Sequence, residues 1–411
     1  MRDYELITLP NGIRVVLKEV SSTKIVHCGF ILDIGSRDEK PTQAGLAHFW
    51  EHMAFKGTNK RKAFHIINRL ESVGGELNAY TSKEKICFYA SVLNNYFENA
   101  LELLTDITFD SIFPEKQIEK ERGVILEEMS MYHDVPEDAI QDEFDNLIFT
   151  NHPLGNNILG TAESVKSFHR TDFQQFIKEN LNTERLIFSV VGNVSLKQVK
   201  KLADRYLANV PHFDAKINRL KFNDFIPTKR IVERNLTQAQ CAIGRTAYAI
   251  RDPKRLTFFM LTNILGGPGM NSKLNLALRE KHGYVYSVEA NYSPYIDTGL
   301  FSIFFGTDPK LVNKSIKVVL KEMQKLSEKP LGTMQLHKAK EQLMGQLAMS
   351  EENNASLMLM MGKSLLDLER IQSLEEIFAE IRNVTALNLQ DVATEMFVEN
   401  ELSNLNFLPK N

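Results

Sequence analysis

Cysteine is scarce in this chain of 411 residues, which contains only three. Cys28, Cys87 and Cys241 are far apart in the sequence and form no CxxC pair. They therefore predict neither a disulfide framework nor a zinc site built from thiolates. Separated thiols in an odd number are typical of a reducing compartment, so we expect a cytoplasmic protein unless a leader segment was removed.

Long apolar runs and an excess of positive charge are also missing. No stretch approaches the roughly 18 apolar residues of a membrane-spanning helix, and the N-terminal MRDYELITLPNG is charged from its second residue, unlike a signal peptide. The 49 basic and 52 acidic residues give a formal net charge of -3. Because such a chain offers no basic field for a phosphate backbone, we expect neither a membrane nor a nucleic acid as partner.

The rest of the composition is that of an ordinary globular protein, with 43% hydrophobic and 25% charged residues. The length suggests two or three domains. Short runs that alternate or are rich in β-branched residues predict strands, among them NGIRVVLKEV, KIVHCGFILDIGS and KICFYASVL. Helical patterns lie between these runs, so the first part of the chain predicts a mixture of strands and helices.

The two halves of the chain repeat the same order of patterns. LIFSVVGNV at 186–194 and LSNLNFLP near the C-terminus each follow an amphipathic helical pattern. AHFWEHMAFKG, LESVGGELNAYT and QIEKERGVILEEM align in order with LTFFMLTNILGG, LREKHGYVYSVE and QLHKAKEQLMGQL. This repetition predicts an internal duplication. The alternative is a pair of unrelated α+β domains.

The duplication predicts an α+β fold of two homologous domains, each a mixed, mainly antiparallel sheet packed with helices. VPHFDAKINRLKFNDFIPTK has little periodicity and predicts a linker at 213–228. It separates a first domain at 1–212 from a second domain at 229–411. In the second domain, Phe258, Leu261 and Thr262 fill the positions that align with His48, Glu51 and His52 of the first domain. The second domain is therefore expected to keep the scaffold without the chemistry of those side chains.

The stretch AGLAHFWEHMAFKGT, residues 44–58, carries the candidate site. On a helix, His48, Glu51 and His52 share one face, because residues i, i+3 and i+4 are neighbours. Two imidazoles one turn apart can bind a zinc ion, and Glu51 between them can accept a proton from a metal-bound water. This HxxEH order reverses the HExxH motif. The alternative is a partly exposed helix whose histidines merely cap or pair.

A catalytic zinc requires a third protein ligand, and EKERGVILEEMSMY supplies candidates. Glu128 shares a helical face with Glu121, Val124, Ile125 and Met131. Glu127 falls instead with Lys120, Gly123 and Ser130, where its carboxylate can remain in water. Because an unpaired carboxylate on an apolar face is costly, Glu128 is the better third ligand. Glu121, two turns earlier on the same face, is expected to support the ligands.

Taken together, AHFWEHMAFKGT, GGELNAYT, ERGVILEEM, HPLGNNILGT and LREKHGYVYSV resemble the M16 family of zinc peptidases, the insulinase or pitrilysin family. The length resembles the subfamily of the mitochondrial processing peptidase and its bacterial relatives. The resemblance implies the duplicated architecture and one zinc ion per chain, held by His48, His52 and Glu128. It also implies that Glu51 is the general base and that Glu121 is a supporting acid needed for activity.

The resemblance extends to substrate binding. It implies that Asn78 and Ala79 belong to an edge strand that pairs with an extended peptide, whereas an ordinary hairpin would show the same pattern. It further implies that Arg279 and Tyr286 approach the zinc from the opposite half of a clam-shaped chamber, and a buried pair of this kind could help to stabilise the oxyanion. A chain with only one half would borrow this pair from a neighbouring chain. We therefore expect a homodimer with composite active sites. The alternative is that Arg279 is a surface charge and Tyr286 a residue of a strand core.

The function predicted in this way is that of a zinc-dependent endopeptidase acting on peptides or unfolded polypeptide segments inside a chamber. A non-catalytic partner or scaffold subunit is the alternative, and its expected mark is the loss of a key residue. None of His48, Glu51, His52 and Glu128 is lost. A purely structural zinc domain fits less well, because structural sites close the fourth coordination position with protein.

Overall fold

A computed structural model describes residues 4–216 and 218–410. These residues form two compact units. The first comprises the described residues of Met1–Met129, Asn156–Leu220 and Met349–Ser373, and the second those of Ser130–Gly155, Lys221–Ala348 and Leu374–Asn411. Within the two described stretches, the structure contains no helix with the length and apolar character needed to cross a membrane.

The first unit is built on a six-stranded sheet. Its strands are β1 (Glu5–Thr8), β2 (Arg14–Glu19), β3 (Ile25–Leu32), β4 (Glu76–Thr81), β5 (Ile86–Leu93) and β6 (Leu186–Gly192). They lie in the order β1-β2-β6-β3-β5-β4. β2 and β6 are parallel, and the other neighbours are antiparallel. The sheet is therefore mixed and mainly antiparallel, with β4 at one edge.

The second unit is built on a five-stranded sheet. Its strands are β7 (Lys229–Arg234), β8 (Ala239–Ala247), β9 (Val285–Pro294), β10 (Gly299–Thr307) and β11 (Ser403–Pro409). They lie in the order β7-β11-β8-β10-β9, with β7 and β11 parallel. The other neighbours are antiparallel.

The two sheets share one topology. When strands are counted from β2 in the first sheet and from β7 in the second, both read 1-5-2-4-3 across the sheet. β1 is an additional strand with no counterpart in the second sheet. In both sheets the last strand of the set lies between the first and the second. The chain therefore follows the same path through both sheets. The predicted α+β fold of two duplicated, mainly antiparallel domains is confirmed.

The helices fill the connections between strands. They are α1 (Leu46–Ala54), α2 (Ala63–Glu71), α3 (Phe97–Phe109), α4 (Glu115–Asp134), α5 (Pro136–Ile148), α6 (Ala162–Ser167), α7 (Arg170–Asn180), α8 (Leu196–Tyr206), α9 (Arg255–Gly266), α10 (Val312–Glu328), α11 (Thr333–Glu351), α12 (Asn354–Leu368), α13 (Leu374–Asn383) and α14 (Ala386–Met396). A π-helix at Asn275–Lys281 precedes β9.

The first sheet is buried on both faces. One face packs under α1 and α3, around a core that includes Phe30, Phe88 and Phe188. The other face is covered by α12, where residues such as Met361 pack with Ile31. Burial on two faces explains why strand sequences such as KIVHCGFIL are almost continuously apolar.

The second sheet has the same two-sided arrangement. α9 and α14 lie over one face, around Phe258 and Phe301. α5 covers the other face, where Phe144 packs edge-on against Phe304 with ring centroids 5.8 Å apart. Each sheet therefore has one layer of several helices and one layer made mainly by a single helix.

The single covering helices come from unexpected parts of the chain. α12 lies in the second half of the sequence but belongs to the first unit, and α5 lies in the first half but belongs to the second unit. The predicted boundaries, 1–212 and 229–411, follow the order of the sheets along the chain. Each compact unit also includes a helical segment from the other half, which no sequence pattern had indicated.

The segment between α8 and β7 contains neither helix nor strand among its described residues. It is fixed to the first sheet by Arg219, whose guanidinium lies 2.9 Å from Asp33 and 2.8 Å from Asp38. Lys85 and Arg185 also pair with Asp33. Burial alone would raise the pKa of Asp33, but the surrounding cations lower it to about 2.

Candidate metal centre

Helix α1 carries three of the predicted site residues and begins after Gly45. Gly45 has a φ of +91°, in the left-handed region that glycine adopts at least cost. The helix buries apolar side chains such as Phe49 completely, whereas Glu51 and His52 are half-buried. His48 is 8% exposed. The HxxEH face therefore lies at the border between the core and solvent.

A buried carboxylate, Glu39, fixes the N-terminal end of α1. Its Oε2 accepts a hydrogen bond from the N–H of Gly45 at 2.9 Å, and its Oε1 accepts one from the N–H of Ala47 at 2.7 Å. Amides in the first turn of a helix have no partner within the helix, so Glu39 satisfies donors that would otherwise be unpaired. Burial raises the pKa of Glu39 to about 8, although these bonds oppose the shift.

The third predicted ligand comes from α4. Glu121 and Glu128 are seven residues apart and lie on the side of the helix that faces α1, with Glu121 8% exposed and Glu128 half-buried. Glu127 is exposed. Val124 and Met131 are exposed as well, so the face predicted to be apolar is buried only in part.

The two histidines converge on one carboxylate oxygen. His52 Nε2 lies 3.5 Å and His48 Nε2 lies 3.8 Å from Glu128 Oε2. Ligand atoms of all three residues lie within 4.8 Å of one another. Tetrahedral zinc with bonds of about 2.0 Å separates its ligand atoms by roughly 3.3 Å. The separations in this structure are somewhat wider than that, and the three side chains supply the nitrogen and oxygen donors that zinc binds.

The protonation of the two imidazoles differs because their surroundings differ. Burial, together with the neighbouring His52, lowers the pKa of His48 to about 4. Burial acts in the same direction on His52, but hydrogen bonds to Glu121 and Glu128 raise the pKa of His52 to about 9. A ligating imidazole must be neutral, so metal binding would release the proton of His52.

Glu121 supports His52 from behind. Its Oε2 lies 3.3 Å from His52 Nδ1, and its Oε1 lies 2.8 Å from Lys56 Nζ. Burial would raise the pKa of Glu121, but the hydrogen bonds from His52 and Lys56 hold it below its usual value. An ionised Glu121 accepts a hydrogen bond from Nδ1–H of His52, which leaves Nε2 free to bind a metal.

Glu51 lies beside this cluster and is bound by strand β4. The Thr81 hydroxyl donates a hydrogen bond to Glu51 Oε2 at 2.6 Å. Burial raises the pKa of Glu51, and the bonds from Thr81 oppose the increase. A carboxylate with a raised pKa is a better proton acceptor near neutral pH, which suits a general base.

Asn78 and Ala79 lie in β4, the edge strand nearest to α1. On its other side β4 has no paired strand in the described part of the chain. Asn78 is exposed and Ala79 is half-buried. An extended peptide could add to this edge through main-chain hydrogen bonds. The structure thus places the predicted peptide-binding strand next to the metal helix.

Arg279 and Tyr286 lie together in the second unit. Arg279 is in the π-helix, Tyr286 is in β9, and the guanidinium carbon lies 5.4 Å from the ring centroid. The Tyr286 residue is 82% exposed and the Arg279 side chain 41%. Tyr286 is therefore not part of a strand core. The expectation of a buried pair is wrong within the single chain, because Tyr286 points outward from an edge strand.

Trp50 lies on the other side of α1. It is fully buried, with ring centroids 6.0 Å from Phe88 and 6.3 Å from Phe176. These contacts anchor α1 to the sheet and to α7, so Trp50 has a packing role.

The sequence analysis did not identify three residues that contact the site. Glu39 precedes the helix by several residues, and no simple capping motif has that spacing. Lys56 lies two residues beyond the end of α1, where helical spacing no longer applies. Thr81 follows Ala79 by two residues, so strand alternation could have placed it on the same side of the sheet.

Two family models match successive parts of the chain. The model of the insulinase family, peptidase family M16, matches residues 14–162. The model described as the peptidase M16 inactive domain matches residues 167–343. The first match includes the candidate metal ligands and the second includes Arg279 and Tyr286.

Relatives match over almost the whole chain. A Bacillus subtilis protein named an uncharacterized zinc protease, YmxG, is 33% identical over 395 residues, which is 95% of each chain. A Rickettsia bellii protein, also named an uncharacterized zinc protease, is 32% identical over 96% of this chain and 95% of its own. Two solved structures share the fold. A Pseudomonas fluorescens peptidase M16 inactive domain has a TM-score of 0.91 at 18% identity, and the match covers 100% of this chain and 99% of that chain. A Helicobacter pylori protease has a TM-score of 0.90 at 21% identity, and the match covers 99% of each chain.

Proposed function

The chain belongs to the M16 (insulinase) peptidase family, and we propose that it is a zinc-dependent endopeptidase that hydrolyses peptides or unfolded polypeptide segments. The observation that carries this proposal is the convergence of His48 and His52 on Glu128, with Glu51 on the same helical turn. Three protein ligands are the number found in catalytic zinc sites, where the fourth position is open. We propose one zinc ion per chain.

The residues of this chain divide the work of hydrolysis. When bound, zinc lowers the pKa of a coordinated water to about 7 and polarises the scissile carbonyl. Glu51 takes a proton from the attacking water and delivers it to the leaving amine. His48, His52 and Glu128 hold the metal. Glu121, ionised and bonded to Lys56, keeps His52 in the tautomer that ligates.

We propose that the substrate lies along β4 as an added strand. The peptide would pair with the free edge near Asn78 and Ala79, and its scissile bond would then lie near Glu51, which is bound to the same strand through Thr81. Main-chain pairing requires an extended substrate, so folded proteins would be poor substrates.

We further propose a homodimer in which Arg279 and Tyr286 of one chain complete the site of the other. The proximity and exposure of the two side chains support this. An exposed guanidinium beside a phenol can donate hydrogen bonds to the oxyanion that develops on a substrate bound to a second copy of the chain. We also propose a cytoplasmic location, supported by three buried cysteines that are free thiols.

The test is incubation of purified protein with a mixed peptide library, read by mass spectrometry, with and without a chelator. We expect cleavage that disappears with chelator and returns with zinc. His48→Ala should lose both zinc and cleavage. A protein that binds one zinc per chain yet cleaves no peptide would contradict the proposal and favour the non-catalytic partner subunit instead.

A further inference from the structure

We propose that Thr81 is a positioning residue that fixes the orientation of Glu51 and connects it to the substrate-binding edge of the sheet. This inference rests on the proposed peptidase function. Thr81 belongs to neither the metal-binding helix nor the ligand set. It lies at the end of β4, which extends from Glu76 to Thr81.

The geometry is that of a short, charge-assisted hydrogen bond. Thr81 Oγ1 lies 2.6 Å from Glu51 Oε2. A hydroxyl donating to a carboxylate at this distance forms one of the stronger hydrogen bonds found in proteins. The bond fixes the orientation of the carboxylate through Oε2.

Strand alternation explains why this hydroxyl reaches α1. Leu77, Ala79 and Thr81 have the spacing of one sheet face, and the first two pack against the core that includes α1. Tyr80 points to the opposite face, where it packs in the cluster around α12. A β-branched residue has few χ1 rotamers, so the position of the strand largely determines the position of the hydroxyl.

The same strand therefore contacts the general base and also provides the edge at which the peptide is proposed to bind. Ala79, two residues before Thr81, lies at the edge where the peptide is proposed to bind, and Thr81 holds the base. A general base acts efficiently only when held close to its productive geometry, and a displacement of about 1 Å can cost about 100-fold in rate. Thr81 is thus expected to affect the chemical step more than substrate binding.

A purely structural role would look different. If Thr81 only satisfied a half-buried carboxylate, its removal would lower stability or zinc content and would leave turnover per zinc-loaded enzyme unchanged. Thr81→Val removes the hydroxyl and keeps the shape. Thr81→Ser restores the hydroxyl. Thr105→Val is a matched control, because Thr105 is half-buried in α3 and its hydroxyl bonds only to its own helix, at Leu101 O.

The experiment measures kcat, KM and zinc content for the three variants. We expect Thr81→Val to retain about one zinc per chain and a KM within about twofold, with kcat lower by about 10- to 100-fold. Thr81→Ser should recover most of kcat, and Thr105→Val should resemble the unmodified enzyme. An unchanged kcat in Thr81→Val, or equal losses of zinc in Thr81→Val and Thr81→Ser, would overturn the proposal.

A second measurement does not depend on turnover. In protein carrying isotopically labelled glutamate carboxyl carbons, the NMR signal that Glu51→Gln removes is that of Glu51. Thr81→Val should shift this signal, and Thr81→Ser should not. If the protein cleaves no peptide but the signal shifts, the peptidase function fails while the positioning contact stands. If peptides are cleaved and the signal is unmoved by Thr81→Val, the positioning role fails alone.

Discussion

The carboxylate of Glu39 accepts a hydrogen bond from the N–H of Ala47 at 2.7 Å, one residue before the first histidine of the metal site. This bond and its companion at Gly45 hold the first turn of α1 from outside the helix. Since both histidines project from this helix, its placement determines the distance between their nitrogens and Glu128.

We therefore expect Glu39→Ala to weaken both the fold and the metal site. Loss of a helix N-terminal cap costs about 1 kcal/mol, and the buried amides left unpaired increase that cost. Thermal unfolding with and without chelator should show a lower midpoint in both states, together with weaker zinc binding. Glu71→Ala, an exposed position near the end of α2, is the control. Full zinc affinity in Glu39→Ala would show that the cap does not influence the site.

Glu51→Gln should separate metal binding from catalysis. Glu51 is bonded to Thr81 and is not one of the three converging groups, so its amide variant should keep about one zinc per chain and lose peptidase activity. Zinc content by atomic spectroscopy and cleavage of a reporter peptide measure the two effects. Loss of metal would make Glu51 a ligand, and retained cleavage would exclude it as the base.

Lys56→Met should weaken zinc binding although it leaves all three proposed ligands unchanged. Lys56 helps to hold the pKa of Glu121 below its usual value, so its removal favours protonation of Glu121 and weakens the support of His52. Changes in such supporting groups typically cost 10- to 100-fold in metal affinity, and we expect a loss of about that size. Competition with a chromophoric chelator measures it. Lys60→Met, an exposed lysine beside Asp106 and Asp110, should have no effect.

The lowered pKa of Asp33 predicts that the free energy of unfolding decreases at acid pH. Its pKa falls from an ordinary 3.8 to about 2 in the folded protein, so between these pH values the unfolded chain binds a proton that the folded chain does not. Stability from this group is present above about pH 4 and is lost as the pH falls toward 2, about 2 kcal/mol in total. Urea unfolding across this range should show the loss, and Asp33→Asn should reduce the slope. An identical slope in both proteins would contradict the assignment.

Mixing two inactive variants tests the composite site. Glu51→Gln and Tyr286→Phe chains should each be nearly inactive as homodimers. In a mixed dimer, one of the two sites combines an intact Glu51 with an intact Tyr286, so activity should return on subunit exchange. Exchange is confirmed independently with differently tagged chains. Exchange without recovery of activity would show that Tyr286 does not act on the partner's site.

The part of the site that sequence could predict is the part that depends on local periodicity. His48, Glu51 and His52 share a helical face by spacing alone, and face counting also favoured Glu128 over Glu127. The structure brings Glu128 to the two histidines and leaves Glu127 exposed. The sequence predicted that the two sheets would share one topology, because the chain is duplicated. It did not predict the order of the strands, because pairing partners are determined by tertiary packing.

Contacts between separate elements could not be predicted in this way. Glu39 reaches α1 and Thr81 reaches Glu51 because of how a turn and an edge strand pack on the helix. The same reason explains the errors: Val124 and Met131 are exposed, since α4 buries a narrower stripe than its apolar residues suggest. Exposure of Tyr286 likewise follows from its position on an edge strand.

The origin of α12 has a consequence for how the chain must fold during synthesis. Helix α1, all six strands of the first sheet and the proposed zinc ligands have left the ribosome once Gly192 has emerged. The apolar back of that sheet, including Ile31, Cys87 and Val191, still lacks the helix that covers it until Leu368 is made. For the interval between, the nascent chain must carry an uncovered sheet, which is a surface that chaperones recognise and that favours aggregation.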